Sequence, residues 1–322
     1  MAAALETLTP GVVDLKELQP SDLAAVLDEE TAAWSRDLDW DFRASSDLVR
    51  RFVSMQALTG FALVSGRETI GYSYYVCEER KGLIGDLYVA ERFRTVENEN
   101  LLLGSVVDTL MSIPAVRRIE SQLMMLGQST NRTMPRAHRL QAFPRVFMQA
   151  PLEHARDLAP AAPKQRTVFE AWSERRQEEA ARVIALAYEG HIDSQINDQY
   201  RSVAGARRFL LNIVQYPGCG SFFQPASMIA VNLASGHVCG ICLSSQVRED
   251  VGHITQICVT PDVHGTGVGY ELLRRSMVAL SQAGCRSVSL TVTSANDGAI
   301  ALYRRVGFDE RRRFAAHVWE GF

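Results

Sequence analysis

An apolar run, Ile254 to Val259, leads into His264-Gly265-Thr266-Gly267-Val268-Gly269, and a helical pattern from Tyr270 to Leu280 begins where that stretch ends. Three glycines at alternate positions allow a turn too tight for other residues, because glycine adopts left-handed backbone without steric cost. A helix starting there aims its unpaired N–H groups and positive dipole end into the turn, so an anion, and first of all a phosphate ester, suits it. Strand, glycine turn and helix in this order call for an α/β architecture.

In isolation such glycines serve equally as turn punctuation. Two phosphate-binding patterns can be tested against the residues. A Walker loop closes on Lys-Ser/Thr, whereas Gly269 is followed by Tyr270-Glu271. A dinucleotide loop runs G-x-G-x-x-G, whereas this one runs G-x-G-x-G without an acidic ribose ligand at a following strand end. Downstream, Ser287 to Val292 alternates small polar and apolar residues as a strand does. Asn296-Asp297-Gly298-Ala299-Ile300-Ala301-Leu302-Tyr303 then turns into a short helix that Gly307-Phe308 ends.

Together these segments resemble the GNAT acyltransferase superfamily. In that family a strand ending Val-x-Pro leads into R/Q-x-x-G-x-G/A and a long helix, and N-x-x-A-x-x-L-Y with G-F follows. Here Val259-Thr260-Pro261, then His264, Gly267 and Gly269, then Asn296, Ala299, Leu302-Tyr303 and Gly307-Phe308 carry the match, with His264 where Arg or Gln is usual. The resemblance covers roughly the C-terminal half. It implies acetyl-CoA as cosubstrate, held by His264, Gly265, Thr266, Gly267, Val268 and Gly269, and no metal. It also implies that Ile257 or Cys258 offers a backbone N–H to an oxyanion, and that Val259 pairs with the pantetheine arm. Tyr303 would act as general acid, and Asn296 would hydrogen-bond the cofactor arm or order water while capping the helix.

The residue chemistry agrees. Acyl transfer from a thioester to an amine needs donors at the oxyanion, a proton source for sulfur and a proton sink for nitrogen. A phenol of ordinary pKa about 10 can share its proton with a thiol of about 8.5, which suits Tyr303 to the second task. For the third, His253 and Gln256 lie on opposite faces of one strand, and no base is assigned. Glu189, His191, Asp193 and Asp198 fall in what the resemblance makes the acceptor-facing region, without assigned roles. Asp37, Asp39 and Asp41 flank Trp34 and Trp40, a group read as a solvated acidic loop in preference to a cation site.

A chain of 322 residues, 47% hydrophobic, can bury two cores at roughly 150 residues per domain. Net charge is −3 and no basic run with interleaved aromatics occurs, which argues against nucleic acid. No apolar stretch reaches the roughly 18 residues of a membrane span, and the start lacks a secretion signal, so a cytoplasmic address is expected. Cys239 and Cys242 form a C-x-x-C without a second ligand pair. As strand residues they should face opposite ways and serve as buried thiols.

The first half repeats the second. Val12–Leu18 reads as a strand, Ser21 and Asp47 begin helices, and Phe61–Val64, Thr69–Cys77 and Leu83–Val89 read as antiparallel strands. The same order recurs in Thr167–Ala171, Glu174–Tyr188, Ala204–Val214, Ser227–Leu233, Val238–Gln246 and Gly252–Val259. Asn131, His138 and Phe143 match the spacing of Asn296, Tyr303 and Phe308, while the loop Ala90 to Glu99 lacks glycine and carries acids. The expectation is therefore two tandem GNAT-like α/β domains, each a mixed, mostly antiparallel sheet flanked by helices. They are a degenerate one at 1–157, a Pro/Ala linker at 158–165 and a catalytic one at 166–322. The activity expected is N-acyl transfer, acetyl first, to an amine of a small molecule or peptide. The alternative is a non-catalytic acyl-CoA-binding or sensing module; a homo-oligomer is left open.

Overall fold

The computed structural model describes residues 9–127, 132–161, 166–216, 218 and 220–322. It forms two compact units, Met1–Pro144 with Phe314–Phe322, and Arg145–Arg313. In chain order the first unit contains β1 (Gly11–Asp14), α1 (Ala24–Leu38), α2 (Arg43–Ser54), β2 (Gly60–Ser65), β3 (Glu68–Glu78) and β4 (Lys81–Val89). α3 (Val96–Ser112) and β5 (Arg118–Ser121) follow, and β6 (Leu140–Pro151) enters the second unit at Arg145. There the chain continues through β7 (Thr167–Ala171), α4 (Gln177–Ala187), α5 (Asp193–Ile196), α6 (Val203–Gln215), β8 (Ser221–Phe222) and β9 (Met228–Asn232). It ends with β10 (Val238–Arg248), β11 (Val251–Val259), α7 (Val268–Gln282), β12 (Ser287–Thr293), α8 (Asp297–Arg305) and β13 (Asp309–Glu320).

Each unit is a mixed, mostly antiparallel sheet with helices packed on it, as the sequence led us to expect. The orders are β1-β2-β3-β4-β5-β13 and β6-β12-β11-β10-β9-β7. The boundaries differ from the 1–157, 158–165, 166–322 division. The last strand of the chain closes the first sheet, His317 opposing Ser121, and Arg145–Pro151 closes the second, Met148 opposing Leu290. The physical reason is edge pairing: β5 and β12 each need an antiparallel neighbour, and an unpaired edge is a liability. Composition pointed to the Pro/Ala stretch instead. Of that stretch, 162–165 lie outside the described residues, while Ala159 accepts a hydrogen bond from the Tyr270 hydroxyl (2.8 Å) and the Ala161 N–H donates to Glu271 (3.0 Å).

The repeat is legible in strand register. On β3 and β4, Tyr74 opposes Asp86 and Tyr75 opposes Ile84, skipping Gly85; on β10 and β11, Leu243 opposes Gln256 and Ser244 opposes Ile254, skipping Thr255. The glycines follow suit. A Cβ on Gly82 would strike Leu110 of α3 at 2.7 Å, and one on Gly252 would strike Leu280 of α7 at 2.7 Å, so each helix lies directly on its strand. Leu102, Leu103, Val106 and Leu110 bury that face of α3, and Leu272, Leu273, Met277 and Leu280 that of α7.

Local chemistry moved some ends. Asp14 accepts from the Lys16 N–H (2.8 Å) and turns the end of the expected strand Val12–Leu18 into a 3-10 turn. α2 begins at Arg43, where Asp41 takes the N–H, and Asp47 lies inside it. Cys239 and Cys242 share one apolar cluster and do not face opposite ways, because a bulge between Val238 and Gly240 reverses the alternation. Burial pushes their thiols up, to about 11 and about 12.

Candidate active site

β11 pairs with parallel β12 only from Val251 to Ile254. Beyond the bulge it stays on β10, Cys242 opposing Ile257 and Gly240 opposing Val259, but leaves β12. One backbone edge of Gln256–Val259 is thereby released from the sheet, and Ile257, Cys258 and Val259 are half-buried there. Backbone donors released in this way suit an extended ligand arm, which can pair as another strand does.

The glycine loop lies at the end of this edge. Gly265 has φ 68° and Gly267 φ 96°, so both use the left-handed region that a side chain resists. Gly269 is already helical, and its nearest neighbour for a Cβ is Val259 at 3.8 Å; the strict need for glycine therefore ends at 267. Gly267 is the N-cap of α7, and among the described residues no side chain caps that helix, leaving its first N–H groups to an anion. Thr266 turns its hydroxyl inward to the Val263 carbonyl (2.7 Å), and Val268 is buried. The exposed His264 donates Nε2–H to the Val259 carbonyl (3.2 Å), the group expected to pair with a pantetheine arm.

Asn296 caps α8 by accepting the Ala299 N–H (3.2 Å), and α8 carries Tyr303. Tyr303 is 7% exposed, and its hydroxyl has no hydrogen-bond partner among the described residues. Burial raises its pKa, as do Cys242, Asp193 and Cys258, with Arg145 opposing. The phenol therefore keeps its proton at neutral pH. The nearby thiols of Cys242 and Cys258 are pushed up to about 12 by the same burial. A thiolate expelled in such surroundings would gain proton affinity together with the phenol, which preserves the match between them.

Across from Tyr303 is a polar group that the sequence only partly disclosed. Gln256 donates to the Tyr188 hydroxyl (2.9 Å) and accepts from that of Tyr200 (3.2 Å), and these two rings stack with centroids 4.3 Å apart. Asp193 opens α5, accepts from the Thr293 hydroxyl and has Arg145 at 3.8 Å. Asn296 Nδ2 lies 3.4 Å from His191 Nε2. Arg145, Thr293, Tyr188 and Tyr200 had no sequence signal, because they come from separate strands and loops. Glu189 is exposed, and Asp198 opens a 3-10 turn. His253 is buried against Ser289 (2.9 Å) and Phe147, and burial lowers its pKa to about 3, so it is a neutral core residue.

The corresponding places in the first unit are filled. Thr95 caps α3 by accepting the Asn98 N–H (3.2 Å), and the Glu99–Arg132 ion pair, with both side chains buried, lies against the first turn through the Val96 carbonyl. Asp86, the register counterpart of Gln256, takes the Leu87 N–H (2.8 Å). His138 is exposed on a 3-10 turn, and Asn131 lies outside the described residues. The Asp37–Asp41 segment is half-buried: Asp37 and Asp41 pair with Arg36 and Arg43, while Trp34 stacks on Trp40 and Phe42. Among the described residues no helix is long and apolar enough to cross a membrane, and no group of three His, Cys, Asp or Glu could hold a metal.

The sequence profile of the acetyltransferase (GNAT) family matches residues 194–308. An N-alpha-acetyltransferase MAK3 of Arabidopsis thaliana is 34% identical over 82 residues, 25% of this chain and 43% of that protein. The chain spans less than half the length of the curated relatives it matches. A GCN5-related N-acetyltransferase of Sphaerobacter thermophilus superposes with TM-score 0.68 at 21% identity, over 98% of this chain and 97% of that one. A tandem GNAT protein from the clavulanic acid biosynthesis pathway superposes with TM-score 0.59 at 14% identity, over 97% and 98%. Residues 194–308 thus match the GNAT acetyltransferase family, in a chain whose fold is similar to that of a tandem GNAT protein.

Proposed function

We propose that the second unit transfers an acetyl group from acetyl-CoA to an amine of a small molecule or peptide, and that the first unit binds no acyl-CoA. The observation that carries this reading is the hydroxyl of the otherwise buried Tyr303, which has no hydrogen-bond partner among the described residues, on α8, together with the released edge of β11. The pyrophosphate belongs at the uncapped start of α7, against the N–H groups of Val268 and Gly269, and the pantetheine arm along Ile257–Val259. The Ile257 N–H, on the released edge, stabilises the oxyanion, and Tyr303 gives its proton to sulfur as the C–S bond breaks. Asn296 fixes the start of α8 and, through it, Tyr303.

Thiol release from acetyl-CoA over a panel of primary amines tests the proposal. Turnover by the wild type that falls about a hundredfold or more in Tyr303→Phe, with acetyl-CoA affinity retained, is the expected result. Turnover unchanged in Tyr303→Phe overturns the acid assignment, and acetyl-CoA binding without turnover on any amine leaves the acyl-CoA-binding module as the reading.

A further inference from the structure

The proposed transfer leaves the acceptor open, and one charged pair close to Tyr303 bears on it. We infer that the acceptor is an α-amino acid, its carboxylate held by Arg145 and its amino group by Asp193; this rests on the proposed acetyl transfer. Arg145 opposes Thr293 where β6 pairs with β12, so the two side chains leave the sheet on one face, with that of Thr291 two residues along. Asp193 comes to the same place from the start of α5. Its Oδ1 accepts from the Thr293 hydroxyl and has Arg145 Nη1 at 3.8 Å.

Neither charge is satisfied there. The Arg145 guanidinium meets Thr291 Oγ1 at 3.2 Å and Thr293 Oγ1 at 3.4 Å, neutral acceptors beyond the about 2.9 Å of a charge-assisted hydrogen bond. Its Nε has no partner among the described residues, although the residue is only 9% exposed. Other buried guanidiniums of the molecule are held directly by carboxylates, Arg132 by Glu99 and Arg118 by Glu120 and Glu320. On Asp193, Oδ2 accepts no hydrogen bond among the described residues. His191 Nδ1 lies 3.9 Å from it but is itself the acceptor of the Asp193 N–H (3.2 Å), so it offers no proton. A buried charge without its hydrogen bonds is unfavourable, and a ligand that supplies the missing partners relieves it.

That ligand must carry both signs. A lone carboxylate on Arg145 would face Asp193, and a lone ammonium on Asp193 would face Arg145, so a singly charged acceptor meets repulsion together with attraction. An α-amino acid bears its two charges on either side of one carbon and matches both members of the pair at zero net charge. The side chains of Arg145 and Asp193 are 11% and 14% exposed, which leaves the pair an open edge. Both act electrostatically on the hydroxyls of Tyr303 and Tyr200, so a bound amine lies close to the proposed acid. The reaction balances with this acceptor. Of the three ammonium hydrogens, one goes to solvent before nitrogen bonds to the carbonyl carbon and one stays on the amide. The third replaces the proton that Tyr303 gives to sulfur as the C–S bond breaks.

The test sets L-amino acids against the same compounds as amides and as decarboxylated amines, with thiol release from acetyl-CoA as the readout and kcat/KM as the quantity compared. For the wild type we expect the best amino acid to exceed both of its counterparts about a hundredfold or more. In Arg145→Gln that ratio should fall towards one. In Arg145→Lys, which keeps the charge and loses the planar fork, it should fall about tenfold, and acetyl-CoA affinity by calorimetry should hold in both variants. A purely structural Arg145 would lower all rates together and leave the ratio as it is. A wild type with no preference for the carboxylate, or a ratio unmoved in the variants, overturns the acceptor assignment and leaves acetyl transfer intact. A folded wild type that binds acetyl-CoA yet acetylates no amine overturns the transfer reading, and the acceptor with it.

Discussion

Asp86 and Gln256 occupy the same register position, one on each bulged strand, and treat the backbone beside them in opposite ways. Asp86 folds back onto the next N–H, that of Leu87, and shares a hydrogen bond with Glu30, which the Tyr72 hydroxyl (2.6 Å) and the Trp34 indole (3.2 Å) also hold. Gln256 reaches away to Tyr188 and Tyr200, and no side chain takes the Ile257 N–H among the described residues. The helix starts differ in parallel: Thr95 and the Glu99–Arg132 pair complete α3, whereas α7 begins on a bare left-handed glycine. A common backbone thus supports either a self-satisfied polar core or a set of unspent donors, and a few side chains decide which.

Substitutions in matched pairs can break this contrast. The largest effect should come from the acid: Tyr303→Phe lowers kcat by 10²–10⁴-fold, ~3–5 kcal/mol, whereas His138→Ala changes it by less than about twofold, as read by thiol release. Next, Arg132→Leu leaves Glu99 buried without its cation and should cost about 3–5 kcal/mol in denaturant unfolding, while acetyl-CoA affinity holds. Gly267→Ala forces a side chain to φ 96° and should weaken acetyl-CoA binding about tenfold, ~1.4 kcal/mol; Thr95→Ala should cost the fold about 1 kcal/mol and leave binding unchanged.

The last contrast is in pH. Burial raises Glu30 and pushes Asp86 up to about 6, so the folded first unit holds protons that the unfolded chain releases near pH 4. That contribution is full below pH ~4 and is lost as pH rises through about 6. Melting from pH 4 to 8 should show a decline in stability that Asp86→Asn flattens. A wild type whose stability rises across that window would sever the link between the buried carboxyls and the closure of the first unit.

Much of this was legible in the sequence because it is local. The glycine loop, the N-x-x-A-x-x-L-Y segment and the strand alternation each depend on neighbours a few residues apart, and they located α7, α8 and β11. What escaped was set by pairing across the chain. β13 closing the first sheet and Arg145–Pro151 closing the second leave no periodic trace, and Arg145 reaches Asp193 only through that pairing. His191 and Asp193 were noticed without roles, since their meaning depends on Asn296 and Thr293 more than a hundred residues away or close to it. The C-x-x-C pair misled because one bulge reversed its alternation.

Calorimetric titration with acetyl-CoA tests most directly whether only one of the two related units keeps a ligand site. One equivalent should bind per chain, binding should vanish in Gly267→Asp, where a carboxylate faces the pyrophosphate, and Thr95→Ala should bind as wild type. Two equivalents per chain, or binding that survives Gly267→Asp, would contradict the account.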